Sequence, residues 1–103
     1  MAVDLYILGE NRNIIPCPNL FEWSAWLETS GDLRQVKLDM FAWGRVSTVF
    51  LGINHQWGEG PPILWETMVF GGPLDRKQDR CAGGIEQAEA MHEAMLARVL
   101  LTV

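Results

Sequence analysis

The middle of the chain alternates between apolar and polar residues in the way that half-buried β-strands do. Residues 36–40 follow a strict period of two. Two further segments, 46–53 and 63–70, are rich in β-branched and aromatic residues. The residues between them, 54–62, include two glycines and two prolines. We therefore predict a loop there and antiparallel pairing of the two segments across it.

The two longer strand segments differ in how their apolar residues are distributed. In residues 46–53 they fall on both faces, which predicts a central strand covered by a helix on at least one side. In residues 63–70, Trp65, Thr67 and Val69 share one face, and the residues between them share the other. The glycines and proline at 71–73 then end the strand.

Turn-forming residues divide the first part of the chain. Residues 5–8 are typical of a short strand, and 9–13 contain glycine and asparagines that tolerate turn conformations. Ile14 and Ile15 suit a returning strand, which the prolines at 16 and 18 end. This order predicts a hairpin before the first helix.

Asn19 is predicted to cap that helix, because its side chain can accept from the first free amides and Glu22 follows three residues later. An apolar stripe at spacings of three and four and a glycine stop support it: Leu20, Trp23, Leu27 and Gly31. A second helix is predicted over 85–100, with an apolar stripe formed by Ile85, Ala88, His92, Met95 and Val99.

These elements predict one α+β domain over residues 1–103, an antiparallel sheet of four or five strands with two helices packed on it. Residues 74–84 are polar and charged and are predicted to form a loop. With 103 residues, of which 49% are hydrophobic and 20% charged, the chain is long enough for one globular domain.

The charge, hydropathy and cysteine content of the chain disfavour several classes of function. Thirteen acidic and eight basic residues give a formal charge of −5, which disfavours general nucleic-acid binding. No apolar run is long enough to cross a membrane, and the N-terminus lacks the basic start of a signal peptide. Two cysteines, Cys17 and Cys81, suggest a reduced cytosolic protein, although a single bridge between them stays open.

Half of the chain resembles a known group of proteins. Arg45–His55 reads RVSTVFLGINH, Gly60–Pro62 reads GPP and Trp65–Phe70 reads WETMVF. This pattern resembles a widespread family of small uncharacterised bacteriophage and prophage proteins. The likeness continues less closely through 79–81 and 89–92. It implies a phage origin and a location in the host cytoplasm, and it implies no particular activity.

Three residues suggest a chemical site. His55 ends one predicted strand, Glu66 lies on the next, and His92 lies on the last helix. Two imidazoles and a carboxylate suit a zinc ion or an acid–base pair. No recognised ligand spacing links them, and a histidine on an apolar helix stripe is more often a hydrogen-bonded core residue. No metal or other cofactor is expected.

Glu66 and the loop before it carry the binding hypothesis. A carboxylate flanked by Trp65 and Met68 needs solvent or a fixed partner, for which Arg45, Arg80 and His55 are candidates. The loop has glycines that permit close approach and a tryptophan suited to a partner's pocket, or it is a plain hairpin loop whose tryptophan covers the core. The predicted binding residues are His55, Trp57, Gly58, Gly60, Trp65, Glu66 and Arg80.

Three functions follow. The first is a small non-enzymatic phage protein that binds a host protein or a small signalling molecule, and so inhibits host defence. The second is a metal-dependent hydrolase that uses His55, Glu66 and His92, and the third is a component of the virion or of its assembly. Self-association through the apolar strand 36–40 is also expected, giving a homo-oligomer.

Overall fold

The computed structural model describes residues 4–102. Two strands, one turn of 3-10 helix between them, two helices, four further strands and a final helix follow one another along the chain. Their bounds are β1 Tyr6–Leu8, 3-10 turn Glu10–Arg12, β2 Ile14–Pro16, α1 Leu20–Thr29, α2 Gly31–Arg34, β3 Gln35–Phe41, β4 Gly44–Phe50, β5 Ile63–Phe70, β6 Gln78–Ala82 and α3 Ile85–Thr102. The predicted α+β class is confirmed.

A four-stranded antiparallel sheet in the order β3-β4-β5-β6 forms the larger part of the fold. The predicted pairing of β4 with β5 across the long loop is confirmed, with Thr48 opposite Thr67 and Val49 opposite Glu66. One row of the sheet runs through all four strands and consists of Leu38, Ser47, Met68 and Gln78. This row divides the sheet into two halves that carry different side chains.

Helix α3 packs on one face of the sheet, and its predicted apolar stripe is confirmed. Ala88, His92, Met95 and Val99 are buried. They meet the strand residues that alternate towards the helix, of which Val46, Thr48, Phe50, Trp65, Thr67 and Val69 are all inaccessible to solvent. The alternation predicted for 63–70 therefore has the covered face where the sequence pattern placed it.

The opposite face of the sheet, which we call the open face, remains accessible. Its central residues come from all four strands: Leu38, Met40, Arg45, Ser47, Val49, Glu66, Met68, Phe70, Gln78 and Arg80. Leu38 is 46% exposed and Met40 67% exposed. Of the helices within residues 4–102, α3 alone makes extensive contact with β4, β5 and β6, and it does so from the other side.

The first hairpin and α1 close one end of the sheet. Strands β1 and β2 pair antiparallel, as predicted. The Asn19 side chain accepts hydrogen bonds from the amides of Phe21 and Glu22, each at 3.0 Å, which confirms the predicted cap. Trp23 is buried, and its indole N–H lies 3.1 Å from the carbonyls of both Tyr6 and Gly52. This nitrogen ties α1 to the hairpin and to the end of β4.

Three details of the prediction were wrong. Residues 78–82, predicted as loop, form the edge strand β6, because their backbone pairs with β5. Their polar side chains give no sign of this strand in the sequence. Leu20 is 57% exposed, and Trp26 packs on Phe50 instead. Gly31 follows the end of α1 but begins the short helix α2.

Candidate functional site

The loop between β4 and β5 is held in place by the side chain of one asparagine. Asn54 Oδ1 accepts hydrogen bonds from the amide of Gln56 at 2.8 Å and from the amide of Ile63 at 3.0 Å. The amide of Asn54 itself donates to the carbonyl of Asp4 at 2.9 Å. The two ends of the loop are thus joined to each other and to the chain before β1.

The tip of this loop presents Trp57 to solvent. Its side chain is 94% exposed, whereas the other four tryptophans are buried or half-buried. Gly58 and Gly60 have φ angles of 90° and 137°, which favour glycine. The side-chain Nε2 of Gln56 donates to the carbonyl of Pro61 at 3.2 Å across the loop. The indole therefore projects from an organised loop.

A shallow cleft of about 380 Å³ lies beside Trp57. An exposed indole, an aliphatic side chain, two amides, an imidazole and a carboxylate line it: Trp57, Ile53, Asn54, Gln56, His55 and Asp4. Ile53 is 42% exposed. An apolar wall with nearby donors and acceptors suits one or two side chains of a protein partner.

His55 belongs to this cleft and is separate from Glu66. Its amide donates to the carbonyl of Ile63 at 2.9 Å, and its Nδ1 lies 2.8 Å from the carbonyl of Ile53. A carbonyl only accepts, so Nδ1 carries the hydrogen in this contact. Glu66 is three residues beyond Ile63, a distance of about 10 Å along a strand. His55 therefore does not pair with Glu66, which was one of the possibilities that the sequence left open.

Glu66 instead pairs with Arg80 on the open face. Arg80 Nε donates to a carboxylate oxygen of Glu66 at 2.8 Å, and the two residues are directly opposite in the β5–β6 ladder. The Glu66 side chain is 15% exposed and that of Arg80 39% exposed. Of the three partners considered for Glu66, Arg80 is the one that the structure provides.

Trp65, predicted as a binding residue, belongs to the core. It is inaccessible to solvent, packs edge-on against Phe50 with ring centroids 5.0 Å apart, and donates its indole N–H to the carbonyl of Gly83 at 2.8 Å. The period-two pattern of β5 points it towards α3. The remaining predicted residues form two groups. His55, Trp57, Gly58 and Gly60 belong to the loop, and Glu66 and Arg80 belong to the open face.

His92 is the centre of a hydrogen-bonded chain that leads from the partly exposed carboxylate of Asp39 into the core. Its Nε2 lies 2.7 Å from Oδ2 of Asp39, and its Nδ1 lies 2.7 Å from Oγ1 of Thr48. The Thr48 hydroxyl in turn lies 2.5 Å from that of Thr67. The imidazole and both hydroxyls are fully buried. The interpretation of His92 as a hydrogen-bonded core residue is confirmed by these contacts.

The metal and acid–base hypothesis depended on bringing His55, Glu66 and His92 together. The structure gives each of them a different partner and puts Glu66 and His92 on opposite faces of the sheet. Within residues 4–102, no three histidine, cysteine, aspartate or glutamate side chains are grouped so that they could hold a metal ion. The three residues do not form one site.

The order Asp39, His92, Thr48 matches that of a nucleophilic triad, with threonine in the place of the nucleophile. The Thr48 hydroxyl, however, lies under α3 with no exposed surface and with Thr67 against it. A substrate has no path to this oxygen while α3 is in place. The chain of hydrogen bonds therefore holds α3 on the sheet. The spacing of residues in the sequence does not show that Asp39, Thr48 and Thr67 belong to this chain of hydrogen bonds.

The two cysteines are free. Cys17 is buried and its thiol contacts the carbonyl of Asn19 at 3.8 Å. Cys81 lies on β6 and is half-buried against the core that includes Trp65 and Ala88. This burial raises the pKa of its thiol, because desolvation disfavours the thiolate. The Cys17–Cys81 bridge that the sequence left open is absent, and neither cysteine has the surroundings of a reactive thiol.

Comparison of the chain with known protein families, with curated proteins and with solved structures found no match. Among the helices of residues 4–102, none has the length and hydropathy that a membrane crossing requires. The structure thus defines a class, an α+β domain with an anchored, tryptophan-bearing loop at one end of its sheet.

Proposed function

We propose that this chain is a small, non-enzymatic binding protein that recognises another protein through Trp57 and the cleft beside it. One observation carries this proposal. The most exposed tryptophan of the chain projects from a loop whose two ends are fixed by Asn54. A loop whose backbone ends are already fixed loses less entropy on binding than a free one, and tryptophans are among the most frequent hot spots of protein interfaces.

A protein partner suits this surface better than a small signalling molecule. Sites for small molecules enclose most of the ligand's surface. The cleft is a shallow surface depression, and Trp57 stands beside it with 94% of its side chain exposed. An indole that projects outwards inserts into a partner's pocket, whereas it encloses a small ligand poorly. We therefore favour the host protein over the signalling molecule.

The likeness to phage proteins supports the biological side of the proposal. In this view the protein is made in the host cytoplasm and inhibits a host defence system by occupying a surface of one of its proteins. The small size of the domain and its acidic charge, which disfavours binding to nucleic acid, are consistent with that role. Assembly into the virion is the alternative for a protein of the same origin.

The test is capture of a partner from host lysate by the wild type and by two matched variants. Trp57→Ala removes the exposed indole, and Phe21→Ala removes a side chain that is 86% exposed on α1. We expect Trp57→Ala to weaken the affinity for a captured protein at least tenfold, as the loss of a hot-spot residue does. Phe21→Ala should leave the affinity unchanged. Equal capture by both variants contradicts the proposal.

Two measurements separate the alternatives. Heating the purified protein and analysing the supernatant tests for a bound signalling nucleotide, whose release in stoichiometric amount would replace the protein partner with a small molecule. Mass spectrometry of purified phage particles tests the virion alternative. We expect the protein to be absent from the particles and present in infected cells.

A further inference from the structure

The open face has the composition of an interface that the first proposal does not use. Five of its side chains are apolar, and Arg45 and Arg80 with Glu66 are its charged groups: the apolar ones are Leu38, Met40, Val49, Met68 and Phe70. Arg45 lies with its guanidinium carbon 4.2 Å from the centre of the Phe70 ring. An antiparallel sheet can leave one face in water, but that face is then usually polar, and a contiguous apolar patch on it marks an interaction site.

The size of the open face fits a small but specific interface. The four strands have five to eight residues, and at a spacing of about 4.8 Å they span roughly 19 by 23 Å. Side chains that project from this footprint expose more area than the flat outline. The outline itself is about 440 Å², and with the projecting side chains the face approaches the lower limit of specific interfaces, about 600 Å² from each partner.

The arrangement of the side chains is suited to a second copy of the same face. The central row of Leu38, Ser47, Met68 and Gln78 crosses all four strands. On one side of it lies a row with Met40, Arg45 and Phe70, and on the other a row with Val49, Glu66 and Arg80. If a two-fold axis runs along the central row, the row with Arg45 in one copy lies on the row with Glu66 in the other copy.

This axis brings opposite charges together. Arg45 of one copy then lies over Val49 of the other, whose neighbour across the ladder is Glu66. A two-fold axis parallel to the strands would instead lay each row on its own equivalent, and would bring Arg45 near Arg45 and Glu66 near Glu66. Charge complementarity therefore selects the axis across the strands, and the central row makes a strip of apolar contacts along it.

We propose that the open face joins two copies of this chain, face to face, about a two-fold axis along Leu38, Ser47, Met68 and Gln78. Such a dimer is a β-sandwich with α3 of each copy on the outside. The Trp57 loop lies beyond the ends of β4 and β5 and is not part of the open face, so the dimer is independent of the function proposed above.

The first test is the molar mass in solution, measured by light scattering or sedimentation over a concentration series. We expect the wild type to reach twice the monomer mass and Leu38→Glu and Met40→Glu to remain monomeric. Leu101→Glu is the matched control, because Leu101 is 87% exposed on α3, and it should dimerise as the wild type does. A wild type that is monomeric up to about 1 mM, the weakest affinity of interest, overturns the proposal.

Cross-linking tests the axis itself. Leu38 lies on the axis and meets Leu38 of the second copy, so Leu38→Cys should form a disulfide-linked dimer under mild oxidation. Met40→Cys lies off the axis and should not, and the wild type measures the background from Cys17 and Cys81. Linkage through Met40→Cys but not through Leu38→Cys overturns the axis. Binding of a different protein to the open face of a monomeric chain overturns the dimer.

Discussion

Nε2 of His92 lies 2.7 Å from Oδ2 of Asp39, although the two residues are 53 positions apart in the chain. The carboxylate accepts, so Nε2 carries the hydrogen. Every buried group in this chain of hydrogen bonds then has a partner if Nδ1 accepts from the Thr48 hydroxyl and Thr48 accepts from Thr67. The middle position of Thr48 makes it more important than Thr67, because Thr48 takes part in two of the hydrogen bonds and Thr67 in one.

We expect Thr48→Val to lower the free energy of unfolding by about 2–3 kcal/mol and Thr67→Val by about 1 kcal/mol. Thr48→Val leaves both His92 Nδ1 and the Thr67 hydroxyl buried without a partner, whereas Thr67→Val leaves the bond between Thr48 and His92 in place. The two substitutions are the same in volume and charge. Urea unfolding measures both, and a Thr67→Val loss equal to that of Thr48→Val contradicts the central place of Thr48 between His92 and Thr67.

The same substitution at two tryptophans should have opposite consequences. Trp57→Ala should change the free energy of unfolding by less than about 0.5 kcal/mol, as substitutions at exposed positions do. Trp65→Ala should lower it by about 3–5 kcal/mol, because the buried indole fills the core beside Phe50. Thermal unfolding of the two variants distinguishes them. A large loss in Trp57→Ala would mean that the indole packs on the core.

Asn54 should decide how well the loop holds Trp57. In Asn54→Ala the amides of Gln56 and Ile63 lose their acceptor, so we expect faster hydrogen exchange at both positions and weaker partner binding. Asn54→Asp keeps the acceptor oxygen and is the matched control, which should retain slow exchange. Unchanged exchange in Asn54→Ala would show that the backbone of the loop is held by other contacts.

Most of the fold could be predicted because its signals are local. The period-two segments gave β3 to β5, and the spacing of Ile85 to Val99 gave α3 with its buried stripe. Strand β6 could not be predicted, since Gln78 to Arg80 are polar and their strand conformation comes from hydrogen bonds to β5. An edge strand needs only one neighbour, and its side chains need not be apolar.

The candidate site was predicted in part. Trp57 and its glycines carry local signals, and the structure places them at an exposed tip. The partners of His92 could not be found in this way, because Asp39 and Thr48 come from two other strands and only the register brings them under α3. Trp65 was wrongly included, although the alternation of β5 already predicted that it shares a face with the buried Thr67 and Val69.

The Cys81 thiol should react slowly at neutral pH. Burial raises its pKa, and the thiolate is the reactive form. We therefore expect alkylation by iodoacetamide to rise at a higher pH in the folded protein than in the urea-unfolded chain, with Cys81→Ser giving the background from Cys17. Because the pKa of Cys81 is higher in the folded than in the unfolded chain, the protonated thiol contributes to stability below its unfolded pKa. This contribution is lost as the pH rises through the pKa of the thiol in the folded protein. A folded profile that coincides with the unfolded one would contradict this.

Two glycines with the same backbone angle provide the last test. Gly58 and Gly71 both have a φ of 90°. A Cβ at Gly58 meets nothing within 4 Å, whereas one at Gly71 would overlap the carbonyl oxygen of Trp43 in the turn that starts β4. Gly58→Ala should therefore cost only the backbone penalty, about 1–2 kcal/mol. Gly71→Ala should cost clearly more, because the ends of β4 and β5 must separate to relieve the overlap. Equal losses in urea unfolding would mean that this turn yields without disturbing the sheet.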